Sequence, residues 1–275
     1  MAKVNPRNGL LTGIAGNLHF KIRGGTQIIT SVAQQSRKPR TQNQASQTCK
    51  WNGIQAMYSA ASGCLKGLFE FKTSTQTDYN IFLKLNLKRG NIYLDKSMKR
   101  FRACVIFPLQ VSHGSLPSIA IERVNGQAVT DIRLGELEIN EETPVWKFSS
   151  AVLKNNPLFL EGDEITFLEY SQYLETENIP VPRADASRWT VKLDVISDEP
   201  LWKVVPSYAF QTRNGFLAHD PKEELGGFTW IHERQIRKTH SVSSQMLLVN
   251  NDELCAKYAS EEQRLETIKS YGVRE

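Results

Sequence analysis

The sequence predicts an α+β, β-rich protein in which a basic hairpin and helices precede antiparallel, sandwich-like sheet regions and a C-terminal helix. Three observations carry that expectation. One long helix-period stripe follows Thr41, short turn-punctuated apolar segments run from Cys104 onward, and charge divides the chain into unlike halves.

The hairpin comes first. Leu18, Phe20 and Ile22 alternate with His19, Lys21 and Arg23, and Gly24-Gly25 offers the positive φ of a tight turn before Thr26, Gln27, Ile28 and Ile29. Gly9, Gly13 and Gly16 upstream predict an irregular lead-in. They lack the Gly-Lys-Ser/Thr ending of a phosphate loop. Gln34-Gln35-Ser36-Arg37-Lys38-Pro39-Arg40 has no apolar residue and reads as an exposed basic linker.

Thr41 with Gln44 forms a capping-box pattern, predicting a helix over 41–69 whose buried stripe is Trp51, Ile54, Tyr58, Ala61, Leu65 and Leu68. A second helix is expected from about Thr77, with Tyr79, Phe82, Leu83 and Asn86, stopping near Gly90. Strands are then expected over 104–111, 118–124 and 128–134, the last two joined at Asn125-Gly126. Val145, Phe148, Val152 and Leu153 suit a short helix with Pro144 in its first turn. Further strands are read over 164–170, 189–195, 204–210, 227–233 and 242–248, while polar 173–187 reads as a loop. Ser260 and Gln263 open a terminal helix burying Leu265, Ile268 and Tyr271 and ending at Gly272. The expected organisation is a basic hairpin and helical region over 1–100 and a β-rich region over 101–275, long enough for two subdomains.

Composition narrows the function classes. With 40% hydrophobic and 23% charged residues the chain can build a core. It has neither a signal-peptide pattern nor an apolar run of membrane-spanning length, which predicts an intracellular protein without a membrane partner. Cys49, Cys64, Cys104 and Cys255 stand singly and are expected to be reduced. His19, His113, His219, His232 and His240 show no metal-ligand spacing, so neither metal nor other cofactor is expected. Glu141-Glu142 and Glu261-Glu262 suit helix N-termini, and Ser112-His113 and Ser243-Ser244 lie outside any nucleophile elbow; no catalytic residue is assigned.

The charge is more telling. Residues 1–100 hold sixteen Lys and Arg against Glu70, Asp78 and Asp95, a net +13, whereas the rest of the chain carries a net −8. Lys21, Arg23, Arg37, Lys38, Arg40 and Lys50 are therefore the expected partner-binding set, facing an acidic protein surface or nucleic-acid phosphate. Glutamines 34, 35, 42, 44 and 47 could add hydrogen bonds but carry no base-reading code.

Gly13-x-x-Gly16-Asn17-Leu18-x-Phe20, Gly24-Gly25, Ser31 and the Gln42/Gln44/Gln47 region resemble a family of Bacteroidales and their crAss-like bacteriophages that bears a domain-of-unknown-function label. The segments Gln110–Pro117, Gly226–His232, Ser243-Ser244-Gln245 and Ser270-Tyr271-Gly272 extend the resemblance over nearly the whole chain, although His232-Glu233-Arg234 replaces an expected serine-rich stretch. The resemblance implies a bacterial or phage origin and brings no catalytic residues with it. Together with the basic region it leads to the expectation of a non-catalytic virion protein of the neck or tail, oligomeric with other assembly proteins and put together in the bacterial cytoplasm. A host-encoded nucleic-acid-binding protein of the bacterial cytoplasm is the alternative, and it would need aromatic groups beside the basic residues.

Overall fold

The computed structural model describes residues 3–4, 9–23, 25–32, 39–124, 126–175, 181–221, 225–273. It is α+β and β-rich, with several antiparallel sheets and a C-terminal helix.

Strands β1 (Lys3–Val4), β2 (Leu11–Ala15), β3 (Leu18–Arg23) and β4 (Thr26–Ser31) form one antiparallel sheet in chain order. The expected hairpin is β3–β4, in register from Leu18↔Ser31 to Arg23↔Thr26, with Gly25 at φ +79°. The glycine-rich lead-in is not irregular. Gly13 sits within β2, opposite Phe20, where its missing side chain leaves the phenyl ring's cross-strand neighbour small.

Helix α1 (Gln42–Ala61) starts as the capping box requires: Gln44 N–H donates to Thr41 Oγ1 and Thr41 N–H to Gln44 Oε1. It ends eight residues earlier than expected, although Leu65 and Leu68 beyond it are fully buried. The buried face also differs. Ala45, Ser46, Cys49, Gly53, Ile54, Met57 and Ala61 face inward, while Trp51 is 42% exposed. The indole, two positions from Cys49, is turned to the opposite side of the helix. Helix α2 (Asp78–Asn86) begins at its Thr77 cap as expected.

After a 3-10 turn (Lys96–Phe101), residues 104–109 run extended through the core without forming a strand; β5 is only Gln110–Ser112. Side chains and single backbone contacts supply the hydrogen bonds a ladder would: Ile106 N–H to Gln172 Oε1 at 2.7 Å and Cys104 N–H to Pro182 O at 3.0 Å. Then come β6 (Ile121–Val124), β7 (Gln127–Arg133), α3 (Val145–Asn155, with Pro144 at its N-cap rather than in its first turn), β8 (Glu164–Glu175) and β9 (Val181–Lys192). The expected 173–187 loop is mostly the paired far end of β8 and β9, with Tyr173↔Arg183 and Leu174↔Pro182. Its polarity reflects exposure rather than an absent ladder.

Residues 204–210 hold no strand. Pro200 caps a helical turn, α4 (Leu201–Val204), and Pro206 opens the turn that follows. The chain continues with β10 (Gln211–Arg213), β11 (Phe216–His219) and β12 (Gly226–Ile236), and the strand expected over 242–248 divides into β13 (Thr239–Val242), β14 (Gln245–Met246) and β15 (Leu248–Val249). Helix α5 (Asp252–Ala259) lies in a stretch where no helix was expected. In α6 (Glu261–Ser270), Ile268 and the following Tyr271 are buried as expected, whereas Leu265 is 41% exposed.

The central sheet runs β13-β12-β8-β9 and is covered on both faces. Leu168, Tyr170 and Ile231 meet α1, α2 and the 103–111 segment on one side. Ile165, Phe167, Phe228 and Trp230 meet α3 and the β10-β11-β7-β6 sheet on the other. That double covering explains why β12 is buried without interruption from Gly226 to Glu233.

Candidate interaction surface

Cross-strand partners share a sheet face, so Leu18, Phe20, Ile22 and Ile29 lie on one face of the N-terminal sheet and His19, Lys21, Arg23, Ile28 and Thr30, with Ile14 of β2, on the other. The first face is the more apolar and the second mixed, and both expose apolar groups: Leu18 is 46% and Ile29 55% exposed on one, Ile14 44% and Ile28 37% on the other, while Phe20 and Ile22 are half-buried. No described residue before Ala45 is buried.

Lys21 and Arg23 are both exposed on the same face of β3. Arg40 is exposed immediately before the α1 cap. Lys50 is half-buried and lines a cleft of about 530 Å³ with Gln47, Tyr93, Glu261 and Arg264, to which no residue of the N-terminal sheet contributes. Arg37 and Lys38 lie outside the described residues. The structure therefore brings Lys21 and Arg23 together and places Lys50 elsewhere.

A second groove, of about 440 Å³, runs between α1 and the 3-10 turn. Asn52, Gln55 and Ser59 line one wall and Lys99 and Arg102 the other. The 3-10 turn carries Lys96, Lys99 and Arg100, with Arg102 at its C-cap in the left-handed region (φ 52°), and none of the four forms an ion pair among the described residues. The +13 charge pointed to this turn only collectively. Its partner wall of Asn52, Gln55 and Ser59 carries no charge or motif that marks it in the sequence.

The segments Gln110–Pro117, Gly226–His232 and Ser243-Ser244-Gln245 converge. Ser112 Oγ donates to Ser243 O at 2.7 Å and accepts from Gln245 N–H at 3.0 Å; His232 N–H donates to Ser243 Oγ at 2.9 Å. Ser244 Oγ lies 3.2 Å from His113 Nδ1 and also meets the Gly114 backbone. The nearby Glu70 carboxylate accepts from Ser115 N–H and Oγ, Val242 N–H and Ser241 Oγ. It is thereby held below its usual range against the opposing effect of burial; Glu70 N–H donates to His113 O at 2.9 Å, but its carboxylate makes no hydrogen bond to the His113 ring. Among the described residues the Ser–His pair has no carboxylate hydrogen-bonded to its ring, and the Ser244 hydroxyl is held by the Gly114 backbone.

Charged networks flank the same strand. Asp163, buried, accepts from His232 Nε2 at 2.8 Å and Arg234 Nε at 2.7 Å. Desolvation raises its pKa, but the Arg234 hydrogen bond, with help from the Leu160 N–H and His232, holds it below the usual value. Burial lowers His232, so the ring is a neutral donor here. On the opposite face Glu233 meets Arg188 at 2.6 Å and His240 at 3.1 Å.

Burial pushes Cys49 and Cys255 up to about 11 and Cys104 up to about 12, far from nucleophilic thiolates. Among the described residues no group of three or more His, Cys, Asp or Glu is gathered as a metal site, and no helix is long and apolar enough to cross a membrane.

No family model, curated protein or solved structure matches the chain.

Proposed function

We propose that the chain is a non-catalytic structural component of a phage-like particle, of its neck or tail, which docks on other assembly proteins through the basic N-terminal sheet. One observation carries this reading: a four-stranded sheet leaves Leu18 and Ile29 exposed, with no cover among the described residues. Small sheets need a covered hydrophobic face for stability, and a contiguous apolar face rimmed by polar groups marks an interaction site. Lys21 and Arg23 on the reverse face, and Arg40 beyond it, favour an acidic neighbour. The particle context and assembly in the bacterial cytoplasm are part of the proposal and follow what the sequence resemblance implies. The test is to purify particles from producing cells and assay the chain by mass spectrometry. Incorporation should fail for Leu18→Asp with Ile29→Asp while the soluble fold persists; undiminished incorporation would sink the reading.

The alternative, nucleic-acid binding by a host-encoded protein, gains one specific observation: exposed Trp51 on α1, whose neighbours Asn52 and Gln55 face Lys99 and Arg102 across the groove. An exposed ring beside unpaired cations suits a single strand. Quenching of Trp51 fluorescence by oligothymidylate, lost in high salt and in Lys99→Glu with Arg102→Glu, would move the assignment to this reading.

A further inference from the structure

We infer that the partner of the basic sheet is a second copy of this chain, bound head to tail at an acidic cleft around Trp202. This rests on the docking reading above and names its occupant.

The cleft is assembled from two segments that are distant in sequence. Val145 N–H donates to Glu199 O, Trp146 N–H to Ser197 O and Leu201 N–H to Thr143 O, each at 2.9 Å. This stitching joins the segment that follows Glu136, Glu138, Glu141 and Glu142 to the one that carries Asp198 and Glu199, all six exposed and none in an ion pair among the described residues. Neither 134–146 nor 195–202 contains a lysine or arginine. A hollow of about 340 Å³ there is lined by Glu138 and Glu141 together with Leu201, Phe210 and Trp202, the last 52% exposed. Ile196, 79% exposed, and Trp146, 38% exposed, extend the apolar area at the same end.

This surface is the complement of the N-terminal sheet in both respects that matter. The sheet face that carries Lys21 and Arg23 also presents Ile14 and Ile28, 44% and 37% exposed, within a region that has no acid before Glu70; the cleft presents exposed Trp202 beside Glu138 and Glu141. The chain's own sheet does not line the cleft, so each copy has one sheet and one cleft to offer. Because the two surfaces differ, the contact is heterologous, and repeated docking gives a ring where the rotation closes and a filament where it does not.

The experiment measures the mass of the purified full chain by light scattering across concentration, at low and high salt. The wild type should exceed 31.2 kDa with rising concentration and return toward it in high salt. Lys21→Glu with Arg23→Glu, and separately Glu138→Lys with Glu141→Lys, should each weaken association by about tenfold or more. Mixing the two variants should restore it, since the reversed sheet of one fits the reversed cleft of the other. A monomer at every concentration, binding of nucleic acid without self-association, or a mixture that stays monomeric would each overturn the inference. A monomer in isolation whose entry into particles still requires Leu18 and Ile29 would leave the docking reading standing.

Discussion

His232 Nε2 lies 2.8 Å from Asp163 Oδ2, with both side chains buried and Arg234 closing the other carboxylate oxygen. Asp163 has a depressed folded pKa and His232 a lowered one, so at both sites the unfolded chain binds protons more readily. The stability from Asp163 is present above its unfolded value and lost as pH falls through its folded value. His232 begins to be lost earlier, as pH falls below the unfolded histidine value of about 6.5. His240 is raised by its Glu233 hydrogen bond and acts in the opposite sense, losing its contribution as pH rises through its folded value. Denaturant melts should therefore show stability declining from about pH 6.5 downward and more steeply in the carboxylate range. Asp163→Asn should cost about 3–5 kcal/mol at neutral pH and flatten the acid limb; an unchanged slope would remove the pair from the account.

On α1 the two tests have opposite signs. Ile54→Ala and Leu65→Ala should each cost about 2–5 kcal/mol by chemical denaturation, since both side chains are fully buried. Trp51→Ala should stay within about 0.5 kcal/mol, and a cost as large as that of Ile54→Ala would show that the indole is covered in solution.

Gly114 admits no side chain. A Cβ there would sit 2.3 Å from Val242 O and 2.6 Å from Glu70 Oε2. Gly114→Ala should lower Tm by several degrees and loosen the Ser112–Ser243 clamp, visible as faster amide exchange at Gln245. Exchange as slow as in the wild type would mean that the strands can part without penalty.

Reversing Arg37, Lys38 and Arg40 to Glu should leave thermal stability nearly intact, because exposed charges contribute little to folding. Entry into particles should be lost, in proportion to salt sensitivity. Wild-type incorporation at both low and physiological salt would take the 37–40 segment out of the docking mechanism.

Local chemistry was legible. The Thr41 and Ser260 caps and the Gly24-Gly25 turn are written in adjacent residues, and each stands where the sequence places it, with Gly25 the described half of that turn. What required the third dimension was less so. The Cys104–Leu109 run is apolar because it crosses the core, and periodicity cannot distinguish that path from a strand. Trp51 followed the large-residue stripe, whereas Ala45, Cys49 and Gly53 set the packed face. Likewise Lys21 and Arg23 were visible as charge, but the uncovered face behind them is a property of what the rest of the chain fails to reach. The acidic cleft depends on Pro144 meeting Pro200, a pairing of residues 56 positions apart in the numbering.

The doubly covered β12 makes insertions in this strand unusually costly to both halves of the molecule. Phe228 and Trp230 serve one core while Ile231, on the alternate face, serves the other. One added residue would exchange the two sets, driving Trp230 toward the helices and Ile231 toward α3 in a single step. An inserted residue would therefore be tolerated in the turns rather than here, and the strand acts as a ruler against which both layers must be cut.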